Sequence, residues 1–279
     1  MIRIIFNNWL SFFRSLLVAM GALWLPIEAY EGLEGNAPIS IGFFLIVCVV
    51  LALVIFAIDG FFVSGFFRKT VSIDSNGFDT KIVVKFGDLL AQEGWKSIAV
   101  NDFFDSKVDD IIISSNSLHG QVIKKYWPNN SVGWQAQIYE DLKGLSARRS
   151  KRAEGNTKLY PIGTTAQATV HDHKFLFTAL THTDEATFQT TASAETLICA
   201  VRGMLTKARS VCSNEPLFIP LMGTGLGRLG TKHAIVVDLI LVAIFEETKL
   251  SKVTDTITIV ISNDKSSQVN LASISRDWK

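Results

Sequence analysis

The residues best suited to chemistry form a glycine-rich segment, residues 223–230, with the sequence GTGLGRLG. It directly follows an apolar run, residues 217–222, that predicts a strand, and it precedes a predicted helix. Glycines at such a turn let the backbone approach a ligand closely, and amides entering the helix present donors and positive potential to an anion. The segment therefore predicts either a phosphate-binding loop, with a diphosphate as its natural ligand, or a tight strand-to-helix turn.

Three glycines of this segment also fit the spacing of a dinucleotide-binding fingerprint: Gly225, Gly227 and Gly230. That fingerprint opens a fold that needs further strand–helix–strand units after it. About fifty residues follow here, which is too few for those units. We therefore interpret the match as accidental.

The histidines and acids add little to this picture. A His-Asp-His sequence at residues 171–173 lies at a predicted hairpin tip and lacks the further ligands that a metal site needs. His182, Asp184 and Glu185 suggest acid–base chemistry, but no nucleophile lies at a recognisable spacing from them. The sequence predicts no catalytic residue, no metal site and no cofactor.

The elements that position these residues begin at about residue 70. Strands alternating with helices predict an α/β fold with a mixed or parallel sheet and helices on its faces. Ser193 is expected to cap a helix that ends near residue 211. Residues 235–245 are apolar but few, and Asp238 interrupts them, so they predict a buried core helix. The strand predictions cover residues 71–73 and 82–86, which are expected to form a hairpin or a tight reversal, and residues 97–100, 110–114, 175–179, 217–221 and 256–261.

Two apolar stretches precede this region. Residues 39–58 carry no charge and, at about 1.5 Å of rise per residue, predict a transmembrane helix. Residues 9–25 predict a first span, in which Arg14 either reaches back to the near interface or lines a pore. A cleavable signal peptide is the competing interpretation, but the compact basic start and the small-residue cleavage pattern are missing.

The charges next to these stretches predict their orientation. Arg3 precedes the first stretch and Arg14 lies near its beginning, while the basic pair at residues 68–69 follows the second stretch. The predicted connecting loop holds three acids, Glu28, Glu31 and Glu34. By the positive-inside rule, both termini face the cytoplasm. The sequence thus predicts a transmembrane hairpin over residues 1–69 and a cytosolic domain over residues 70–279.

Composition supports membrane contact and argues against nucleic-acid binding. With 27 Lys and Arg against 26 Asp and Glu, the net charge of +1 provides no field that would attract nucleic acid. Apolar residues make up 48% of the chain and charged residues 19%, which is low for a soluble protein. The three cysteines are odd in number and lack metal-ligand spacing, which indicates a reducing compartment. The basic segment, residues 143–152, predicts a solvated loop or, alternatively, a contact with anionic lipid or a phosphate-bearing ligand.

Four segments, in chain order, resemble the motifs of macro domains, which are α/β/α modules that bind ADP-ribose and related nucleotides. FGDLL at residues 86–90 resembles the family's Gly-Asp-Ile-Thr strand end, and IAVN at residues 98–101 resembles the strand that enters its Asn-Ala-Ala-Asn motif. SLHGQ at residues 117–121 and PLMGTGLG at residues 220–227 resemble its two phosphate loops. The resemblance covers roughly residues 82–261 and implies a three-layer α/β/α fold with a mixed sheet.

The resemblance also implies which residues bind. Asp88, followed by Leu89, would accept the adenine amino group, and Asn101 or Arg228 would face the distal ribose or its substituent. The alternatives for these three polar residues are a surface turn, a strand-end cap and a solvated loop cation. The diphosphate would be held by two groups of residues: Ser117, Leu118, His119 and Gly120, and Gly223, Thr224, Gly225, Leu226 and Gly227.

Two departures from the family pattern favour binding over catalysis. Asn101 is followed by Asp102 and two phenylalanines, so the second asparagine of the motif is missing. The first phosphate loop keeps one glycine where the family usually has several. Hydrolytic members use these elements to place the distal ribose and an attacking water.

Two spans followed by a divergent macro domain resemble the membrane effectors of type II Thoeris, a bacterial antiphage system. The resemblance implies a partner TIR-domain enzyme that consumes NAD and releases histidine-linked ADP-ribose, which the macro domain binds. The chains would then oligomerise and disrupt the lipid bilayer of the inner membrane. The alternatives are a membrane-anchored hydrolase of ADP-ribosyl groups and a reader of ADP-ribosylated proteins.

Overall fold

The computed structural model describes residues 8–36, 39–73, 79–128, 131–223 and 229–278. The chain divides into two compact units. The first consists of Met1–Lys69 and Asn270–Asp277, and the second of Thr70–Val269 and Trp278–Lys279. The first boundary between the units lies after Lys69, and residues 270–277 group with the first unit.

The first unit contains two helices that are long and apolar enough to cross a membrane. Helix α1 spans Trp9–Glu34, and helix α2 spans Ile41–Ile58 and continues into a π-helical turn over Asp59–Val63. The prediction that three glutamates lie in a connecting loop is wrong, because α1 continues through them. It ends at Gly35, whose φ of 76° provides the left-handed C-cap that stops a helix.

Small side chains separated by one helical turn line the contact between α1 and α2. Ser15 and Ala19 are buried on α1, and Cys48 and Ala52 are buried on α2. The other faces stay open: 11% of the most apolar window of α1 and 17% of that of α2 is buried. A core helix of a soluble domain would instead be mostly buried.

One ion pair joins the two helices. Arg14 Nη2 lies 2.9 Å from Asp59 Oδ1, and Ser64 Oγ donates to both oxygens of the same carboxylate. The Asp59 side chain is 8% exposed and that of Arg14 is 63% exposed. Neither sequence-based interpretation of Arg14 anticipated this partner, because the two residues are 45 positions apart.

The second unit is built on an eight-stranded mixed sheet, and a short two-stranded sheet lies beside it. The strands are β1 Thr70–Ile73, β2 Lys81–Phe86, β3 Trp95–Asn101, β4 Arg148–Arg149, β5 Lys158–Leu159, β6 Thr165–Val170, β7 His173–Thr183, β8 Thr190–Thr191, β9 Leu217–Pro220 and β10 Thr256–Ile261. The helices are α3 Leu118–Tyr126, α4 Ser131–Asp141, α5 Ala194–Val211 and α6 His233–Leu250, and α7 Leu271–Asp277 belongs to the first unit.

The main sheet has the order β1-β2-β10-β9-β3-β7-β6, and β8 pairs with β7. The five strands from β2 to β7 are parallel, and β1 and β6 add antiparallel partners at the two ends. Parallel strands bring their carboxyl ends to one edge of a sheet, so residues far apart in the chain meet there.

Helices cover both faces of this sheet. Side chains of β7 alternate between the faces, and Phe175 and Phe177 join a core cluster that contains Trp134 and Ile138 of α4. Helix α5 contacts β7 and also packs on α6, and both helices bury an apolar face. The prediction that residues 235–245 form a core helix is confirmed.

Most sequence predictions of elements are confirmed, including the Ser193 cap, whose Oγ accepts from the Thr196 amide at 3.1 Å. The His-Asp-His segment lies at a hairpin tip, since Val170 pairs with His173 between β6 and β7. The strand predicted over residues 110–114 is wrong, and the strand β6 was not predicted. Most of the turn of the β1–β2 hairpin, residues 74–78, lies outside the described residues.

Candidate ligand-binding cleft

A cleft of about 450 Å³ opens at the carboxyl ends of β3, β7 and β9. One wall consists of the strand ends and the residues after β9, and another consists of the loop before α3 with the first turn of that helix. A third wall is the loop at residues 187–190, which follows β7. Ligands of parallel α/β sheets bind at this edge, so the position of the cleft agrees with the general rule.

Aspartate side chains hold the loop before α3 in shape. Asp109 Oδ1 accepts from the amides of Ile111 and Ile112, and Asp110 Oδ1 accepts from the amide of Ser115 at 2.6 Å. The Ser115 amide lowers the pKa of Asp110. These bonds occupy amides that a strand would need, and Asp110 itself has a φ of 64°. This is why the three isoleucines at residues 111–113 line a cleft instead of forming the predicted strand.

The first turn of α3 presents backbone donors to the cleft. The N-cap Ser117 accepts from the Gly120 amide at 3.0 Å and donates to Ser114 O at 2.7 Å. The Gln121 amide donates to Ser117 O. Among the bonds of the described residues, this leaves the amides of Leu118 and His119, both of which line the cleft. Such a helix start favours an anion.

The loop after β9 reaches the same cleft. Gly223 lines it with a φ of 74°, a backbone conformation that favours glycine. Leu229 N donates to Gly223 O at 3.2 Å, so the residues on either side of the 224–228 segment meet. The predicted ligand residues Thr224, Gly225, Leu226, Gly227 and Arg228 lie outside the described residues.

Among the described residues that line the cleft, there is no lysine or arginine, and Asp110 is the one carboxylate. His119 does not supply a positive charge either, because burial lowers its pKa to about 3. Its ring packs against Trp134 and Phe177, and its Nε2 is buried with no partner among the described atoms. An anion in this cleft would therefore be held by backbone amides and hydroxyls.

Asn101 lies at the end of β3 and lines the cleft, and half of the hydrogen-bonding capacity of its side-chain amide is already in use. Its Nδ2 donates to Asp105 Oδ2 at 2.8 Å, and its Oδ1 accepts from the Asp105 amide at 3.1 Å. Asp105 in turn forms a buried ion pair with Arg152. Asn101 thus retains one donor and one acceptor for a ligand.

A second polar pair lies next to the cleft. His182 Nδ1 is 3.1 Å from Asp102 Oδ2, and the Thr183 amide donates to Asp102 Oδ1. Burial raises the pKa of Asp102, and the bonds from His182 and Thr183 oppose that rise. The neighbouring residues Asn101 and Thr181 line the cleft, whereas this pair is not part of its described lining.

The predicted site residues that the structure describes fall into two groups. Asn101, Ser117, Leu118, His119 and Gly223 are brought together in the cleft. Three others are not part of its described lining. Asp88 is exposed and caps the Leu90 amide at 2.9 Å, while Leu89 is buried in the core cluster. Gly120 is buried, and a Cβ there would lie 2.3 Å from Ser114 O, so it allows the helix to pack on the preceding loop.

Sequence reasoning missed the wall formed by residues 187–190. Phe188 has a φ of 58°, and the loop is closed by Asp184 Oδ1, which accepts from the amides of Ala186 and Thr187. The acid at residue 184 followed by a threonine three positions later was a turn signal that could have found it. Nothing local indicates that this turn reaches the cleft, because its position depends on the long strand β7.

The fold is that of macrodomains. A macrodomain of Oceanobacillus iheyensis solved with ADP aligns with a TM-score of 0.50 at 14% identity, over 76% of this chain and 96% of that one. A mutant of the same macrodomain solved with ADPR aligns with a TM-score of 0.51 at 14% identity, over 75% and 96% of the two chains. The predicted α/β class with a mixed sheet between helices is confirmed.

The sequence narrows this class to one family. The family described as "Thoeris protein ThsA, Macro domain" matches residues 82–262. Thoeris protein ThsA of Bacillus amyloliquefaciens (strain Y2) is 27% identical over 189 residues, which are 66% of this chain and 61% of that protein. The chain therefore belongs to the family of ThsA macro domains, and its match spans less than two thirds of that relative.

Proposed function

We propose that this chain is a membrane effector of Thoeris antiphage defence that senses an ADP-ribose derivative. The observation that carries the proposal is the first turn of α3, whose amides open on a cleft at the carboxyl ends of three parallel strands. The two solved macrodomains with ADP and ADPR support the ligand class. A cleft of about 450 Å³ lies within the range of small-molecule sites.

In this proposal the diphosphate lies between two backbone segments. The amides of Leu118 and His119 face it from the start of α3, and Gly223 begins the second segment. The helix dipole favours the anion, and the near absence of charge in the described lining leaves the backbone to do the binding. The predicted contributions of residues 224–228, and of Asp88 to the adenine, belong to the proposal.

The site favours binding over hydrolysis. A hydrolase needs a group that orients an attacking water at the distal ribose. Asn101 has half of its hydrogen-bonding capacity occupied by Asp105, and the next residue, Asp102, is occupied by His182 and Thr183. The anchored hydrolase and the reader of ADP-ribosylated proteins are the competing functions.

The membrane part of the proposal rests on the open faces of α1 and α2. Large apolar side chains such as Leu17, Ile46 and Val50 are at least half exposed, and a water-soluble protein rarely exposes such continuous surface. We place the hairpin in the bacterial inner membrane, with both termini in the cytoplasm. A TIR-domain enzyme would supply the ligand as histidine-linked ADP-ribose, and bound chains would oligomerise and disrupt the bilayer. A ligand drives assembly when it binds the assembled state more tightly.

Calorimetry on the detergent-solubilised full chain tests the proposal. The titrants are ADP-ribose, ADP and histidine-linked ADP-ribose, and the mass of the protein is measured before and after. Heat of binding with an increase in oligomer mass supports the sensor. Release of free ADP-ribose from an ADP-ribosylated substrate would favour the hydrolase, and binding at constant mass would favour the reader. Absence of binding to all three titrants would refute a nucleotide receptor.

Substitutions at Ser117 locate the diphosphate. Aspartate and asparagine are both good N-caps, so both keep α3 intact, but Ser117→Asp adds a negative charge where the phosphate should lie. We expect Ser117→Asp to bind ADP-ribose about tenfold more weakly than Ser117→Asn, a difference of about 1.4 kcal/mol. Equal affinities of the two variants would place the diphosphate elsewhere. Melting temperatures of both variants control for the lost hydroxyl bond.

A further inference from the structure

A buried ion pair lies directly behind the cleft. Arg152 is the last residue of the basic segment at residues 143–152, and its side chain is 0% exposed. Its Nη2 contacts Asp105 Oδ1, and the Asp105 side chain is 1% exposed. Burying two charges costs free energy that their attraction barely returns, so such pairs are poor sources of stability and can instead fix a conformation.

The arginine is held from three sides. Its guanidinium stacks on the Phe103 ring at 3.8 Å, and its Nε donates to Asn156 O at 2.6 Å. The backbone amide of Asn156 donates to Asp105 Oδ1 at 2.8 Å. Arg152 and Asn156 therefore occupy the same carboxylate oxygen, Oδ1, and leave Oδ2 of Asp105 for another donor.

That donor is Asn101, the residue that lines the cleft. Asp105 Oδ2 accepts from Asn101 Nδ2, while the Asp105 amide donates to Asn101 Oδ1. A carboxylate only accepts and an amide N–H only donates, so the two ends of the Asn101 side chain cannot exchange places. One N–H and one lone pair of Asn101 remain in a fixed arrangement, which suits two neighbouring hydroxyls of a ribose.

Two other residues of the basic segment contact the turn that leads into one wall of the cleft. Arg148 Nη2 lies 3.1 Å from Glu185 Oε1, and Ser150 Oγ donates to Glu185 Oε2 at 2.6 Å. Glu185 belongs to the turn that continues into the cleft wall at residues 187–190. The Arg152 guanidinium is also 5.9 Å from the ring of Phe188 in that wall.

We propose that Arg152 is a positioning residue for the ligand: through Asp105 it orients the Asn101 amide toward the ribose that follows the diphosphate. The inference rests on the proposed function, because it needs an ADP-ribose derivative in the cleft. It gives Arg152 a role inside the domain, whereas the sequence predicted that residues 143–152 form a solvated loop or, alternatively, contact anionic lipid or a phosphate-bearing ligand.

ADP-ribose and ADP separate this role from a purely structural one, because ADP lacks the distal ribose. Dissociation constants for both are measured on the detergent-solubilised full chain. Arg152→Met is expected to raise the constant for ADP-ribose about tenfold, and that for ADP no more than about twofold, because one or two directed hydrogen bonds are lost. Asn101→Ala should show the same selectivity, and the double variant should bind no more weakly than Asn101→Ala alone.

Arg202→Met is the matched control. It removes an arginine from the buried carboxylate of Glu247, between α5 and α6 and away from the cleft. It should lower the melting temperature and leave the ratio of the two dissociation constants unchanged. If Arg152→Met does not fold, Arg152→Lys replaces it; this variant keeps the charge but loses the forked geometry, and it should raise the ratio at least threefold.

The outcomes are distinct. Equal weakening of ADP and ADP-ribose by Arg152 variants, no weakening at all, or additive losses in the double variant would overturn the positioning role while leaving the proposed function intact. Failure of the wild-type chain to bind ADP-ribose would overturn the proposed function, and the positioning role with it.

Discussion

The two units of this chain use apolar residues in opposite ways. Helices α1 and α2 turn most of their apolar side chains outward, and the small residues Ser15, Ala19, Cys48 and Ala52 form their contact. Helix α6 of the second unit is also strongly apolar, yet Ile240, Leu241 and Ile244 are fully buried. Composition alone therefore does not distinguish a span from a core helix; the environment of each face does.

The largest expected effect is in the core of the second unit. Ile240→Ala removes a fully buried side chain and should lower the free energy of unfolding of this unit by about 2 to 5 kcal/mol. Thermal unfolding followed by near-UV circular dichroism measures the loss, and Ile235→Ala, at a half-exposed site on the same helix, is the control. If Ile240→Ala also left the membrane fraction, the distinction between the outward-facing apolar residues of the first unit and the buried ones of the second would be wrong.

The corresponding test of the first unit introduces a charge in the middle of α2. Leu51→Arg should cost about 3 kcal/mol on insertion scales and move the chain out of the carbonate-resistant membrane fraction. Leu51→Ala, which adds no charge, should remain in that fraction. ADP-ribose affinity should be the same in wild type and Leu51→Arg if the units are independent. A loss of affinity in the charged variant would show that the hairpin contributes to the site.

The stability of the second unit should depend on pH through the protonation of His119. Burial lowers its pKa from 6.5 to about 3, so the unfolded chain binds more protons than the folded chain between these values. The contribution of this residue to stability is complete above pH 6.5 and is lost at about 1.4 kcal/mol per unit as the pH falls toward 3. Urea unfolding at pH 7 and pH 5 should show a smaller loss in His119→Gln. An identical loss in that variant would contradict the prediction.

The smallest expected effect compares the same cap in both units. Ser193 and Ser40 each accept from the amide three residues later, at the starts of α5 and α2. Ser193→Ala should lower the free energy of unfolding by about 1 kcal/mol, because the Thr196 amide loses its hydrogen-bond acceptor. Ser40→Ala should leave membrane insertion unchanged, because a helix in lipid keeps its backbone bonds. Similar shifts in both assays would remove the distinction between the units.

The elements that the sequence predicted correctly have local signals. Ser193 and the periodicity after it mark α5, and the alternation of apolar residues marks the strands. The prediction over residues 110–114 failed because Asp109 and Asp110 capture the nearby amides, and the isoleucines concealed this turn chemistry. The candidate site was likewise predicted only where a local pattern marks it. Ser117 has a local capping pattern, whereas the link from Arg152 to Asp105 spans 47 residues and leaves no spacing to recognise.

The strand order has a consequence for how the protein is made. Among the described strands β10 comes last in sequence, yet it lies between β2 and β9 in the interior of the sheet. A ribosome-bound chain exposes α1 and α2 long before β10 leaves the exit tunnel, and β9 has no neighbour on that side until then. During translation the two apolar helices are therefore complete while the central sheet, and with it the cleft at the carboxyl ends of β3, β7 and β9, still lacks an interior strand.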